Sequence, residues 1–586
     1  MVAETTKMEE LSNGEDDCCV YKDVVVVGNG PGGICISYML NGNWPYYTGQ
    51  PHPGDEMLTA RLNYIVQNSR DDSPRSPSRV NPGNPRDNST GATPRSAKNP
   101  DKSPKDDRRS LLLTSRSDLE VLTNGLEGRG TCRPMTLLLD QLQHPCVDAG
   151  LDIPSLLSWQ SAEHHPQHRV IDHVVLGKGP PGGAWHFMDP NVLTISLTRW
   201  MSLPGLDLRK WETLVEKEQL RKSTILRERI RKNCWSRSKG TFEVDSRIPV
   251  GTVAAYYKDY VSKMGLTKYF KCGRTVTSVR PLPDASDLDE GYEWIVQGYE
   301  NQSGRKFKYK CKKVVLATGT TNSSNRLGLP GEETQPSWVT HDLNDLETRL
   351  DRLAGKCSKC SLIRKDYKPE VAPVLVIGAG LSAADAIMAA RFRSIPVIHA
   401  FRDSPSTAEG DKVDNENDNG VRLSQSAYER LQTLPVSMYP EYHKVYEMMA
   451  DGRCHRLYKA LPGYNLIDVE VTGSDCNKKK ERRVFLKGPK RQIVSFTVSI
   501  VAILIGSKPD LSYLGDLATQ LGKQEGKLIN GRSNPIEIDD YTYEVVKSPK
   551  KGLYAIGPLV GDNFVRFIHG GAFGVVGHLL RTLETD

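Results

Sequence analysis

Val24-Val25-Val26-Val27-Gly28-Asn29-Gly30-Pro31-Gly32-Gly33 is the stretch that decides the fold. Four consecutive valines read as a buried parallel strand. The glycines that stop them lead directly into Ile34-Cys35-Ile36-Ser37-Tyr38-Met39-Leu40, an apolar segment of helical length. Strand, glycine turn and helix in this order form a dinucleotide-binding fingerprint. Gly28 permits the tight turn, Gly30 lets backbone approach a pyrophosphate, and Gly33 keeps helix close to strand. Phosphate then rests on the free N–H groups of a helix N-terminus. The pattern recurs at Val374-Leu375-Val376-Ile377-Gly378-Ala379-Gly380-Leu381-Ser382-Ala383, followed by Ala384 to Ala390, with Gly378, Gly380 and Ala383 at the three positions. One such motif is weak evidence. Two, each behind a clean strand, imply an α/β chain with two Rossmann-like dinucleotide-binding domains, one for a flavin and one for a nicotinamide.

A chain of 586 residues has room for two or three domains with their own cores. The net charge of +7 is mild for this length, and much of the excess falls in one Ser/Pro/Arg stretch, so nucleic acid is not an implied partner. Met1 to Asp17 is polar and acidic and lacks the basic and apolar regions of a secretory signal. The apolar run Ile493 to Ile505 contains Ser495, Thr497 and Ser499 and is too short to span a bilayer; it reads as a buried strand. Twelve scattered cysteines show no disulfide-framework spacing and suit a reducing, cytoplasmic compartment. Cys357-Ser358-Lys359-Cys360 has no second pair at zinc-site spacing, so it reads as a loop and no metal site is expected.

The chain divides into a disordered tail (1–19), a first dinucleotide domain (20–65 and 111–335), an insert (66–110), a second dinucleotide domain (336–505) and a return to the first (506–586). The insert is Ser, Pro, Arg, Asp and Asn with little to bury, so it should stay disordered. Ser73, Ser76, Thr93 and Ser103 each precede proline and are candidate kinase targets, with an unregulated surface insertion as the alternative. A second strand is expected near Pro45-Tyr46-Tyr47-Thr48, helices at 134–144, 207–240 and 251–264, and strands at 170–176, 274–279, 294–299, 313–319 and 552–557. A glycine-rich helix is expected to start near Gly570.

Further motifs surround the two fingerprints. In Gly182-Gly183-Ala184-Trp185-His186 a glycine pair lets backbone lie against a flat ring system while the indole covers it. Ala317-Thr318-Gly319 ends an apolar strand and is followed by Leu329-Pro330-Gly331, as where a chain crosses between two nucleotide domains. Pro396 to Arg402 is the second strand of the second unit. Arg402 stands where an NADP-selecting cation belongs, which favours NADPH, although Asp403 follows it and an exposed strand-end charge is the alternative. In the first unit no acid follows Tyr46-Tyr47-Thr48-Gly49-Gln50 closely, so the ribose falls to Gln50 or to a later acid, or flavin affinity is low. Asp562, in Gly561-Asp562-Asn563-Phe564, is a candidate acceptor for flavin ribityl hydroxyls.

The blocks Gly28–Gly33, Val174–His186 with Leu193–Ser196, Tyr439–Tyr446, Ile505–Leu511 and Asp562–Phe567 resemble the oxidative stress-induced growth inhibitor family, over nearly the whole chain. The wider relatives are the class B flavin-dependent monooxygenases. The resemblance implies FAD and NADPH as cofactors, molecular oxygen and a nucleophilic substrate as reactants, and a part in growth restraint, cell death and cytokinesis, with midbody association. The wider group's Phe-x-Gly-x-x-x-His signature is partial: His341 is present, the Phe and Gly are not. No general base stands out; Trp185, His186 and His341 are the first residues to test. A disulfide reductase is a rival reading, against which Cys35 stands alone in its helix. A regulatory scaffold that keeps the fold without turnover is the other.

Overall fold

A computed structural model describes residues 19–68, 110–128, 133–222, 246–283, 291–334, 337–355, 371–402, 431–451, 454–472 and 481–583. The N-terminal tail, the four candidate kinase sites and the Cys357/Cys360 pair lie outside these residues.

Strand β1 (Cys19–Val27) ends in four buried valines, and every residue of helix α1 (Pro31–Leu40) behind it is buried. At roughly 1.5–3 kcal/mol for each fully buried Val, Leu or Ile side chain, this unit anchors the first core. β2 (Trp44–Tyr47) departs from expectation. It pairs antiparallel with β3 (Leu157–Gln160) in a separate ribbon, while β4 (His173–Gly177) takes the parallel place beside β1, with Val24 opposite His173. Pro45 has no N–H to give a central ladder, whereas His173-Val174-Val175-Leu176 is buried and fully able to pair. Helix α2 (Pro134–Gln143) lies in the excursion between the two. Helix α3 (Val250–Lys263) buries Val253, Tyr256, Tyr257, Tyr260 and Val261, the stripe its sequence spacing gives. Of the helix expected over 207–240, Leu208–Lys222 is helical and the remainder lies outside the described residues. With β5 (Phe270–Cys272), β6 (Arg274–Pro281), β7 (Trp294–Glu300) and β8 (Lys306–Leu316) the first sheet reads β5-β4-β1-β8-β7-β6.

The second unit repeats the plan. β9 (Val339–Thr340) and helix α4 (Leu343–Leu353) lead to β10 (Val374–Ile377), helix α5 (Leu381–Phe392), β11 (Val397–Phe401), helix α6 (Pro440–Asp451), β12 (Tyr458–Pro462) and β13 (Ile500–Ile503). The strands β9-β13-β10-β11-β12 run parallel, with Leu375 between Val501 and Ile398, and the short strand Cys454–His455 adds an antiparallel edge to β12. The run 493–505, read as one strand, is two. Ile493–Thr497 belongs to a three-stranded antiparallel sheet with Asn465–Thr472 and Glu481–Lys487, and β13 is a core strand of the parallel sheet. The physical cause is in the pattern. Alternating Ser495 and Thr497 suit a half-exposed ribbon, and the unbroken Ile500-Val501-Ala502-Ile503 suits a strand buried on both faces.

The chain then returns to the first sheet. β14 (Leu553–Ala555) lies parallel to the C-terminal end of β8, and helix α7 (Val565–Thr582) packs on α1 and α2. The helix begins five residues earlier than Gly570. That glycine sits inside it because a Cβ there would fall 2.4 Å from Thr136 Cα of α2, so it serves helix contact and not initiation. Among the described residues no helix is long and apolar enough to cross a membrane.

Candidate functional site

The two units share one cavity of about 760 Å³. Its first wall includes Gly28, Gly30, Gly183, Trp185, Thr318 and Gly319; its second includes His341, Ser382, Asp385, Leu504 and Gly506.

Both fingerprint turns have the same construction. Gly28 has φ +116° and Gly378 φ +129°, and a Cβ on them would fall 2.3 Å from Ala317 O and 2.2 Å from Leu504 O respectively. Ala317 and Leu504 each follow the sheet's next strand, β8 and β13. The third positions differ: a Cβ on Gly33 would meet Gly28 O at 2.0 Å, whereas the second unit accommodates the side chain of Ala383 in its core. The middle glycines, Gly30 and Gly380, cap α1 and α5 with extended backbone, and a Cβ on either meets nothing within 4 Å. Backbone open to the exterior at a helix N-terminus suits a pyrophosphate. Gly30 lines the shared cavity, as do Gly28 and Gly32; Gly33 and Ala383 pack behind their turns.

The Gly-Gly-x-Trp loop is tied to the first turn by Asn29, which sequence reasoning passed over. Asn29 O accepts from Gly182 N at 2.9 Å, and Asn29 Nδ2 donates to Gly179 O at 2.7 Å. Gly182 (φ +113°) and Gly183 (φ +58°) both need the left-handed region, and a Cβ on Gly183 would stand 3.1 Å from Gly30 Cα. Trp185 lines the cavity with its edge against Tyr257, ring centroids 5.8 Å apart. His186 is turned inward, with Nε2 2.7 Å from Pro181 O, and is not among the cavity-lining residues. Thr318 Oγ1 lies 3.2 Å from the Tyr513 hydroxyl, which also faces the cavity.

Because β4 neighbours β1, the strand end beside the first fingerprint is that of β4 and not the one that follows Tyr47. Gln50 is not among the cavity-lining residues. Gly177 and Lys178 hold the strand end, and the Asp510 carboxylate lies 3.6 Å from Lys178 Nζ and on the cavity wall. Hydrogen bonds from Ser512 hold the Asp510 carboxyl below its usual range. No local motif marks Asp510; only the strand order identifies it.

Asp562 is buried away from the cavity. Tyr543 donates to its Oδ2 at 2.9 Å, Arg133 Nε lies 3.5 Å from Oδ1, and burial pushes its carboxyl up to about 6. Asn563 and Val565, at the start of α7, line the cavity in its place.

On the second wall, His341 is held between two partners. Its Nε2 lies 2.5 Å from Glu332 Oε1 and its Nδ1 2.9 Å from Arg326 Nη1. Burial pushes the Glu332 carboxyl up, but the His341 bond and the N–H groups of Leu327, Gly328 and Leu329 outweigh it and hold the carboxyl below its usual range. An ionised Glu332 accepts, so His341 donates to it from Nε2. Asp385, on α5, accepts from the Tyr442 hydroxyl at 2.9 Å, and burial pushes its carboxyl up to about 6. Arg247 reaches across from the first unit. It pairs with Glu441 and lies over the Tyr439 ring at 4.8 Å, while the Tyr439 hydroxyl donates to Ile195 O. Arg402 is exposed at the end of β11.

Residues 251–415 match a family model described as pyridine nucleotide-disulphide oxidoreductase. The chain is 33% identical to human oxidative stress-induced growth inhibitor 2, covering 97% of this chain and 95% of that protein. It is 35% identical to human oxidative stress-induced growth inhibitor 1, covering 95% of each. The chain belongs to the oxidative stress-induced growth inhibitor family. Among solved structures it is similar to an ornithine hydroxylase from Pseudomonas aeruginosa, with 12% identity, 96% of this chain and 100% of that one covered, and a TM-score of 0.46. The domain match and the paired Rossmann-like units make this family member a flavin- and pyridine-nucleotide-binding oxidoreductase by fold.

Proposed function

We propose that this protein is an FAD- and NADPH-dependent monooxygenase that uses molecular oxygen and a nucleophilic substrate. The observation that carries the reading is the single cavity onto which both units open. It brings Gly30 and Trp185 of one unit and Ser382 and Asp385 of the other onto the same cavity, as bringing a hydride donor and acceptor together requires. Bound flavin would supply hydride acceptance and oxygen chemistry.

The chain's own residues do the rest. The Gly28–Gly32 backbone binds phosphate, Asp510 takes the ribose position, and Trp185 shields the ring system from water. The cap of α5 at Gly380 receives the second dinucleotide, and Arg402 selects its 2′-phosphate. His341, with both ring nitrogens engaged by Glu332 and Arg326, holds its part of the cavity wall in place. Asp385, with its carboxyl near 6, exchanges a proton close to neutral pH. Among the described residues no cysteine lines the cavity, and Cys35 is buried with its thiol pushed up by burial, which favours this reading over disulfide reduction. A cytoplasmic protein that restrains growth and acts in cell death and cytokinesis is the cellular role its family membership supports, with midbody association part of that role.

The test is a visible absorption spectrum of the purified protein, followed by NADPH addition in air. A flavin spectrum that bleaches, recovers and drains NADPH supports the proposal. Lys178 at the strand end, where a carboxylate would serve the ribose better, favours a second reading as a regulatory scaffold; a bound flavin that NADPH never reduces would establish it.

A further inference from the structure

A second cavity, of about 400 Å³, opens on the face of the first sheet, and nothing in the oxidoreductase reading uses it. Its wall carries Lys22, Lys268, Lys271 and Arg274 against one carboxylate, Asp172. Two of the four cations are satisfied within the protein. Lys22 pairs with Asp172 at 2.8 Å, and Arg274 pairs with Glu300 at 2.7 Å while donating to the Tyr309 hydroxyl at 2.7 Å. Lys268 and Lys271 are exposed, and among the described residues neither faces a carboxylate partner.

The floor beneath them is rigid. The Tyr269 ring stacks on His173 with centroids 3.9 Å apart, and its hydroxyl donates to Asn41 Oδ1 at 2.7 Å. Lys268 Nζ stands 4.8 Å above the centre of that ring. Both nitrogens of His173 are engaged, with Ser37 Oγ and Ile171 O at 2.8 Å each. The unpaired positive charge of the cavity is therefore that of the two lysines, Lys268 lying over the Tyr269 ring, with Arg274 and the Tyr309 phenol also on the wall.

We infer that this cavity is a binding site for a ligand bearing a phosphate group, held between Lys268 and Lys271 above the Tyr269 ring. Uncompensated lysines around a concave site concentrate anions, and phosphate is the multiply charged group that two ammonium donors match. A carboxylate offers less charge, and the bulk of the duplex backbone of a nucleic acid does not enter a recess of this size. The phosphate comes either from a soluble metabolite or from a lipid headgroup, and the experiment separates the two.

Inorganic pyrophosphate is titrated calorimetrically into the full chain, into the double variant K268E/K271E and into Gly30→Ala. The inference expects saturable binding by the wild type that weakens at least roughly tenfold in the lysine variant, which removes both charged donors. It expects this binding to persist in Gly30→Ala, whose change lies in the dinucleotide cavity. Near-UV circular dichroism reports whether the exposed double substitution keeps the fold, and K268A/K271A gives a milder second test. Binding that the lysine variants leave unchanged, or no pyrophosphate binding by the wild type, overturns the site. Binding lost only in Gly30→Ala assigns the pyrophosphate to the dinucleotide cavity and overturns it equally. Co-sedimentation with phosphatidylcholine vesicles containing phosphatidic acid, lost in K268E/K271E, assigns the phosphate to a lipid. Pyrophosphate binding without such co-sedimentation assigns it to a soluble ligand.

Discussion

Replacing Gly30 with alanine separates the fold from the site. Gly30 has φ −72° and ψ −173°, ordinary extended backbone, and the added Cβ meets nothing within 4 Å. The protein should therefore lose no stability. A Gly-to-Ala change at a permissive position gains about 0.4–1 kcal/mol by restricting the unfolded chain. The methyl instead occupies the space into which a pyrophosphate must come to reach the N-terminus of α1. Losing one charge-assisted hydrogen bond there costs about 1.5–3 kcal/mol, so FAD affinity should fall roughly ten- to a hundredfold. Thermal unfolding of the apoprotein and quenching of flavin fluorescence measure the two quantities. An apoprotein that melts several degrees lower, or an unchanged dissociation constant for FAD, would refute the reasoning.

Gly33→Ala should do the reverse: its Cβ falls 2.0 Å from Gly28 O, so urea unfolding should show a loss of about 2–4 kcal/mol whether or not FAD is present. Arg402→Ala should raise the KM for NADPH far more than that for NADH; equal shifts would remove Arg402 as the selector. Asp385→Asn concerns pH. Burial raises this carboxyl from 3.8 to about 6, so the native state favours the protonated form, and its stabilising contribution is complete below pH 3.8 and lost as pH rises through about 6. Relative to wild type the variant should gain stability over that window, by about 3 kcal/mol at most, and keep the gain above it. A melting-temperature difference that stays flat across the window would contradict the assignment.

The first halves of both Rossmann-like units were legible because Val24–Val27 and Val374–Ile377 are short apolar runs stopped by glycine, a local signal. Strand order was not. Nothing near Pro45 reveals that the chain makes a long excursion before His173 takes the place beside β1, so no local signal points to the end of β4. Asp510 lies far from the fingerprint in sequence and reaches the cavity only through the fold. Asp562 carries the right residue type in a glycine-bounded turn, but its carboxylate turns to Tyr543 and Arg133, leaving Asn563 at the wall. Glu332 and Asp385 gave no sequence signal, because their roles depend on partners brought from other elements.

The return of β14 and α7 to the first sheet has a consequence for biosynthesis. The second unit, from Val339 to Ile503, is contiguous and can close as soon as it clears the ribosome. The first unit cannot, because the helix that covers α1 and α2 is made only after the whole second unit. Its valine strands must wait through the synthesis of the whole second unit with one flank uncovered. A premature stop within the final helix would thus abolish the earlier-made domain and leave the later-made one intact.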